Sequence, residues 1–151
     1  MNDLNLSIEF DINGIEPVLA NRMYFAVPKK KRDGKYWATI ASSWYLKNYQ
    51  KIMKEVLKDA LPDEVTKDFR YYFSTGVYDI EVVTTHYVPK KKFYESDVSN
   101  MIKSYEDCIA THLGIDDSRT RKYTVEKVPI LSDEWKIHTT MILVEKNPIM
   151  R

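Results

Sequence analysis

At 151 residues, with 44% hydrophobic and 30% charged residues, the chain is long enough to bury a core as one domain, 1–151, and too apolar for a disordered tail. Its 23 basic residues against 22 acidic ones leave a net charge of +1, which excludes a uniformly basic or acidic binding protein and makes any charged surface local. One cysteine, Cys108, excludes an internal disulfide. No apolar run nears the roughly 20 residues that cross a bilayer, and the opening MNDLNLSIEF lacks a secretory pattern, so a cytoplasmic protein without a membrane partner is expected.

Leu4 to Ile12 alternates as a first strand and ends at the turn pair Asn13-Gly14. Arg22 to Val27 and Tyr36 to Ile40 read as a hairpin whose basic loop, PKKKRDGK, turns at Asp33-Gly34. Ser42 or Ser43 caps a helix with an apolar period from Trp44 to Leu61, stopped by Pro62, and Lys47, Lys51, Lys54 and Lys58 share its exposed side. The stretch from Tyr71 to Tyr87 is rich in aromatic and β-branched residues and reads as a long strand from about Val77 to Val88. It runs through PKKKFYESD into the most informative segment of the chain. Beyond that segment come a strand at about Tyr123 to Val128, a turn at Leu131 to Glu134, and a last strand from Trp135 to Val144. These elements predict an α+β fold of two layers, a mixed β-sheet of about five strands with two main helices.

The informative segment, Asp97 to Ser118, is DVSNMIKSYEDCIATHLGIDDS. At about 100° per residue, Val98, Met101, Ile102, Tyr105, Cys108, Ile109 and His112 fall on one side of a helix. Asp97, Asn100, Lys103, Ser104 and Asp107 fall on the other. Mg²⁺ takes one or two carboxylates with water and phosphate, and Asp97, Asp116 and Asp117 are ligands of that kind. The same residues have structural uses: Asp97 as a helix cap, Asp116 and Asp117 as turn formers after the helix stop at Gly114. Four glycines make no phosphate-cradling loop, and His86, His112 and His138 lack zinc spacing.

The pattern of Asp97, Asn100, Lys103, Asp107, Gly114, Asp116 and Asp117 resembles the signature of the RusA-like endodeoxyribonucleases, Holliday junction resolvases found mainly in phages and prophages. NRMY at Asn21 to Tyr24, and a serine-capped helix with an internal tyrosine, Tyr49, follow the family's order. The resemblance implies a metal site of Asp97, Asn100 and Asp117 with Lys103, binding Mg²⁺ or, in its place, Mn²⁺. The family's second aspartate is Ser99 here. Glu95, two residues before Asp97, is placed on an extended backbone to supply the missing charge. The location implied is the cytoplasm of a bacterial host.

A helix from Val98 to His112 is about 21 Å long, and the chain from His112 to Asp117 reaches at most about 18 Å. Asp117 therefore cannot easily return to its own Asp97. A homodimer with composite sites, each taking Asp97 from one subunit and Asp117 from the other, is expected, in keeping with the dimers of the resembled family. The activity implied is paired, symmetric cleavage of a four-way junction or other branched DNA. Candidate backbone contacts are Lys29, Lys30, Lys31, Arg32, Lys47, Lys51, Lys90, Lys91, Lys92, Arg119 and Arg121. The alternatives are a branched-DNA binding protein that no longer cuts because of Ser99 and, more distantly, a protein-binding module in which the carboxylates are only caps and turns.

Overall fold

Ser7–Asn13 (β1) alternates buried and exposed residues along its length, the pattern of a strand with one face on a core. The computed structural model describes residues 6–150, so the expected strand start at Leu4 lies outside them. The other elements are β2 (Tyr24–Lys30), β3 (Tyr36–Ser42), α1 (Trp44–Ala60), α2 (Asp63–Ser74), β4 (Tyr78–Pro89), α3 (Val98–Leu113), β5 (Thr120–Ile130) and β6 (Lys136–Glu145).

The α+β class holds, with a mixed sheet. That sheet has four strands in the order β1-β6-β4-β5, while β2 and β3 pair only with each other in a separate ribbon. β6 runs antiparallel to β1 and β4, whereas β4 and β5 are parallel, which requires the crossover that α3 provides. Buried residues alternate along the strands: Ile8, Phe10 and Ile12 on β1, Ile80 and Val82 on β4, Ile137, Met141 and Leu143 on β6. They meet one helix layer through Tyr49, Met53 and Leu57 of α1, Phe69 and Phe73 of α2, and Met101, Tyr105, Ile109 and Leu113 of α3.

On the opposite face of the sheet, His138 is gripped by two carboxylates of β1, with Nε2 2.6 Å from Glu9 Oε1 and Nδ1 2.7 Å from Asp11 Oδ1. The hydrogen bond to Asp11, more than that to Glu9, raises its pKa above the ordinary histidine value.

α2 is a third helix where the sequence suggested none. Pro62 precedes it, Asp63 and Glu64 occupy its first turn, and Thr66, Phe69 and Phe73 bury one side. Its aromatic end, Tyr71 to Phe73, has strand-like composition but packs at helical spacing. The expected strand after it is correct and begins at Tyr78.

Ser43 joins three pieces of chain. Its hydroxyl accepts from Leu46 N at 3.1 Å, capping α1, and donates to Arg22 O at 2.6 Å, while its own N–H donates to Met23 O at 2.8 Å. Loss of the hydroxyl in Ser43→Ala is expected to reduce unfolding free energy by about 1–2 kcal/mol in urea titration, an ordinary cost for a lost N-cap with an added bond.

Candidate metal and nucleic-acid site

α3 is built as its periodicity predicts. Asp97 occupies the N-cap position and Gly114 closes the helix in the left-handed conformation, φ 66°, where its N–H bonds back to Ala110 and Thr111. At the far end, Arg70 Nη2 donates to His112 O at 3.0 Å, and His112 Nε2 lies 2.8 Å from Leu61 O, tying all three helices together. One residue departs from the expected polar side. Ser104 is buried, with its hydroxyl on Val18 O at 2.7 Å, because the segment leading to the turn at Ala20–Arg22 lies across α3 there. The NRMY segment is thereby brought onto the same helix as the acidic signature.

The carboxylates divide by what they do locally. Asp97 is exposed and makes no side-chain capping bond, although it stands where one is usual. Glu95 and Ser99 near it are exposed, and Asn100 is half-buried, but Glu95 stands in a turn, its N–H bonded to Lys92 O at 3.1 Å, rather than on the extended backbone expected. Asp116 does act as a turn former. Its Oδ1 accepts from Ser118 N at 2.9 Å, and this bond holds its carboxyl below the usual aspartate range.

Asp117 turns back along α3 as far as Lys103, whose Nζ lies 3.7 Å from Asp117 Oδ2 and 2.9 Å from Asp107 Oδ1. The bond to Asp107 is the chief reason that the Lys103 pKa is raised, so this group stays an ammonium at neutral pH. Among the described residues no three acidic, histidine or cysteine side chains converge as a metal site. Asp97 thus stands at the start of α3, and Asp117 lies beside Lys103, which is six residues further along the chain from Asp97.

Two participants carry no signal in the sequence pattern. Glu106 is half-buried beside Asp117, and burial, then the charge of Asp117, raises its pKa. It precedes Asp107 in the chain and passes for an ordinary helix glutamate. Lys127, from β5, donates to Phe93 O at 2.5 Å and Ser96 O at 2.9 Å, with its ammonium 4.4 Å from the Phe93 ring. It ties down the loop that presents Glu95 and Asp97.

Of the candidate DNA contacts, Lys29, Lys30, Lys31 and Arg32 are exposed on the ribbon, and Lys47 and Lys51 along α1. Lys90 to Lys92 form a short turn before α3, where Lys92 lies 2.5 Å from Glu16 and Lys91 3.8 Å from Asp133. Arg119 and Arg121 are both engaged within the fold. Arg119 donates to the carbonyls of Tyr78 and Phe73 and stacks 4.0 Å from the Phe73 ring. Arg121 reaches Glu81 at 3.1 Å and the Glu145 carbonyl at 3.3 Å. Both guanidiniums hold the start of β5 against its neighbours.

No helix among the described residues is long and apolar enough to cross a membrane. Neither protein-family models nor curated proteins give a match to the chain.

Proposed function

We propose that this chain is a Mg²⁺-dependent endodeoxyribonuclease of the RusA-like kind that cuts four-way or otherwise branched DNA as a homodimer. The observation that carries the reading is the state of α3: Asp97 has its carboxylate uncommitted at the helix start. Further along lies the pair of Lys103 with Asp117 at 3.7 Å. These are the positions at which the sequence resembles that family.

The donor set fits a hard cation, since Asp97 and Glu95 are exposed carboxylates two residues apart and Asp117 keeps more than a third of its side chain exposed. A bound Mg²⁺ polarises a phosphate and lowers the pKa of a coordinated water. Asp97 and the partner's copy of the Asp117 position would hold it, with Glu95 standing in for the charge absent at Ser99 and Asp116 as a further carboxylate. Lys103 would neutralise charge building on the phosphate oxygens or leaving oxygen. Asn100 and Asp107 support the arrangement, the latter by fixing the lysine. The exposed lysines of the ribbon, α1 and the turn before α3 hold the DNA backbone, so binding weakens steeply with salt.

The rival reading, a branched-DNA binder that does not cut, is favoured by one feature. Ser99 is exposed and uncharged where the resembled family has an aspartate. Mixing inactive subunits separates composite cutting sites from the alternatives. With differently tagged chains, an Asp97→Asn/Asp117→Asn heterodimer keeps one site in which both carboxylates are native, and nicking of a labelled four-way junction is expected to return. If the parent cuts but the heterodimer does not, both carboxylates act within one chain and the composite site is wrong. If the parent itself does not cut, the non-cleaving binder is the correct reading.

A further inference from the structure

The β2–β3 ribbon is the one element whose side chains the nuclease reading leaves mostly unexplained. Its strands, of seven residues each, extend for about 20 Å. Past its base the only other element among the described residues that it packs on appreciably is the turn at Ala20–Arg22. The base is fixed by Ser43 and by buried Met23, so the ribbon is held at one end only.

Both faces of the ribbon are open, and both carry aromatic rings. Lys30 lies directly opposite Tyr36 on one face, and Lys29 opposite Trp37 on the other. Tyr36 is 71% exposed and Trp37 47%. Cross-strand partners stand about 5 Å apart at Cβ, so each face pairs an aromatic residue with a lysine across the strands. The tip adds Lys31, Arg32 and Lys35, and only Asp33 opposes them. Asp33 is occupied in the turn, accepting from Lys35 N at 2.9 Å.

We propose that the ribbon is a single-stranded nucleic-acid binding element in which Tyr36 and Trp37 stack on unpaired bases while Lys30 and Lys29 meet the flanking phosphates. Charge selects the occupant. A second copy of the chain, related by a two-fold axis, would lay this basic surface against itself. A polyanion neutralises it, and unpaired bases supply the apolar faces that exposed rings require. A fully paired duplex hides its bases and leaves the rings unused. The inference deepens the nuclease reading, since a branch point exposes such bases, but the ribbon needs no metal and no cutting to perform this role.

The test uses the full chain in EDTA with a fluorescein-labelled 20-nucleotide oligothymidylate and, separately, a blunt duplex. Tyr36→Ala and Trp37→Ala are each expected to weaken oligothymidylate binding about 10-fold, within the range for loss of one stacked base. Duplex affinity should change less than about 2-fold. Trp37→Phe, which keeps a ring, should recover most of the loss. Unaltered oligothymidylate binding in both alanine variants would overturn the proposal, as would a parent dimer that becomes monomeric in them by sedimentation, which would make the ribbon an interface between copies. Junction cleavage is scored separately on the same proteins. A parent that binds oligothymidylate through these rings but never cuts would sink the nuclease reading and leave this one standing.

Discussion

Asp97→Asn is expected to reduce Mg²⁺-dependent junction cleavage by at least about 100-fold while leaving fold and junction affinity in EDTA unchanged. The substitution retains size and polarity but removes the negative charge a hard cation needs. Loss of a group that only orients a metal ligand already costs about 10- to 100-fold. Because the Asp97 side chain makes no capping bond, little stability is at stake, and the melting temperature should stay within a degree or two of the parent. That combination is the informative one. If Asp97 were merely a cap, a role that Asn fills equally well, the variant would keep its stability and cut normally.

His86 sets the largest effect on stability. It is wholly buried under the helix layer, where Trp135 Nε1 donates to its Nδ1 at 3.3 Å. Burial lowers its pKa from 6.5 to about 4. Geometry acts in the same direction, because a proton on Nδ1 would face the indole N–H, donor against donor. A histidine with a depressed folded-state pKa contributes stability that is complete above pH 6.5 and is lost as pH falls toward about 4. The expected loss is about 3 kcal/mol.

His138 acts with the opposite sign, since its raised pKa contributes stability that is complete below 6.5 and lost as pH rises through the raised value. The contribution of His86 is therefore read as a difference, from urea unfolding of the parent and of His86→Gln between pH 7 and 4. The parent should lose about 3 kcal/mol more than the variant over that range. Parallel curves would place the acid sensitivity elsewhere.

What was legible in the sequence was what local chemistry decides. α3 announced itself through its 3.6-residue period and its Gly114 stop, and the ribbon through the Asp33-Gly34 turn and the apolar residues on either side. α1 was readable from Ser43 and Pro62. α2 was not, because its Tyr71-Tyr72-Phe73 end has the composition of a strand and only packing against β1, β4 and β6 decides the matter. The partners of the arginines after α3 were not legible either, for a similar reason. Arg119 and Arg121 look like free cations in a basic run, yet the carbonyls and carboxylates they serve lie about 24–46 residues away in the chain. Ser104 passed for surface because the Val18 segment that covers it is more distant still, 86 residues away. Long-range partners of this kind leave no periodic trace.

At the site, the residue types and the order were readable, but the return of Asp117 to Lys103 was not. The five-residue excursion after His112 had been bounded only by its reach, which says where the chain can go rather than where it goes. The fold answers with a left-handed turn at Gly114 and a cap at Asp116, which lead Asp117 back toward the middle of α3.

The central claim is cutting of branched DNA, and the most direct measurement is incubation of the parent with an end-labelled synthetic four-way junction in Mg²⁺, beside a linear duplex of the same sequence. The account predicts paired nicks at symmetric positions in opposing strands of the junction, none in the duplex, and none in EDTA. A junction that is bound and retained yet stays intact in both Mg²⁺ and Mn²⁺ would contradict it.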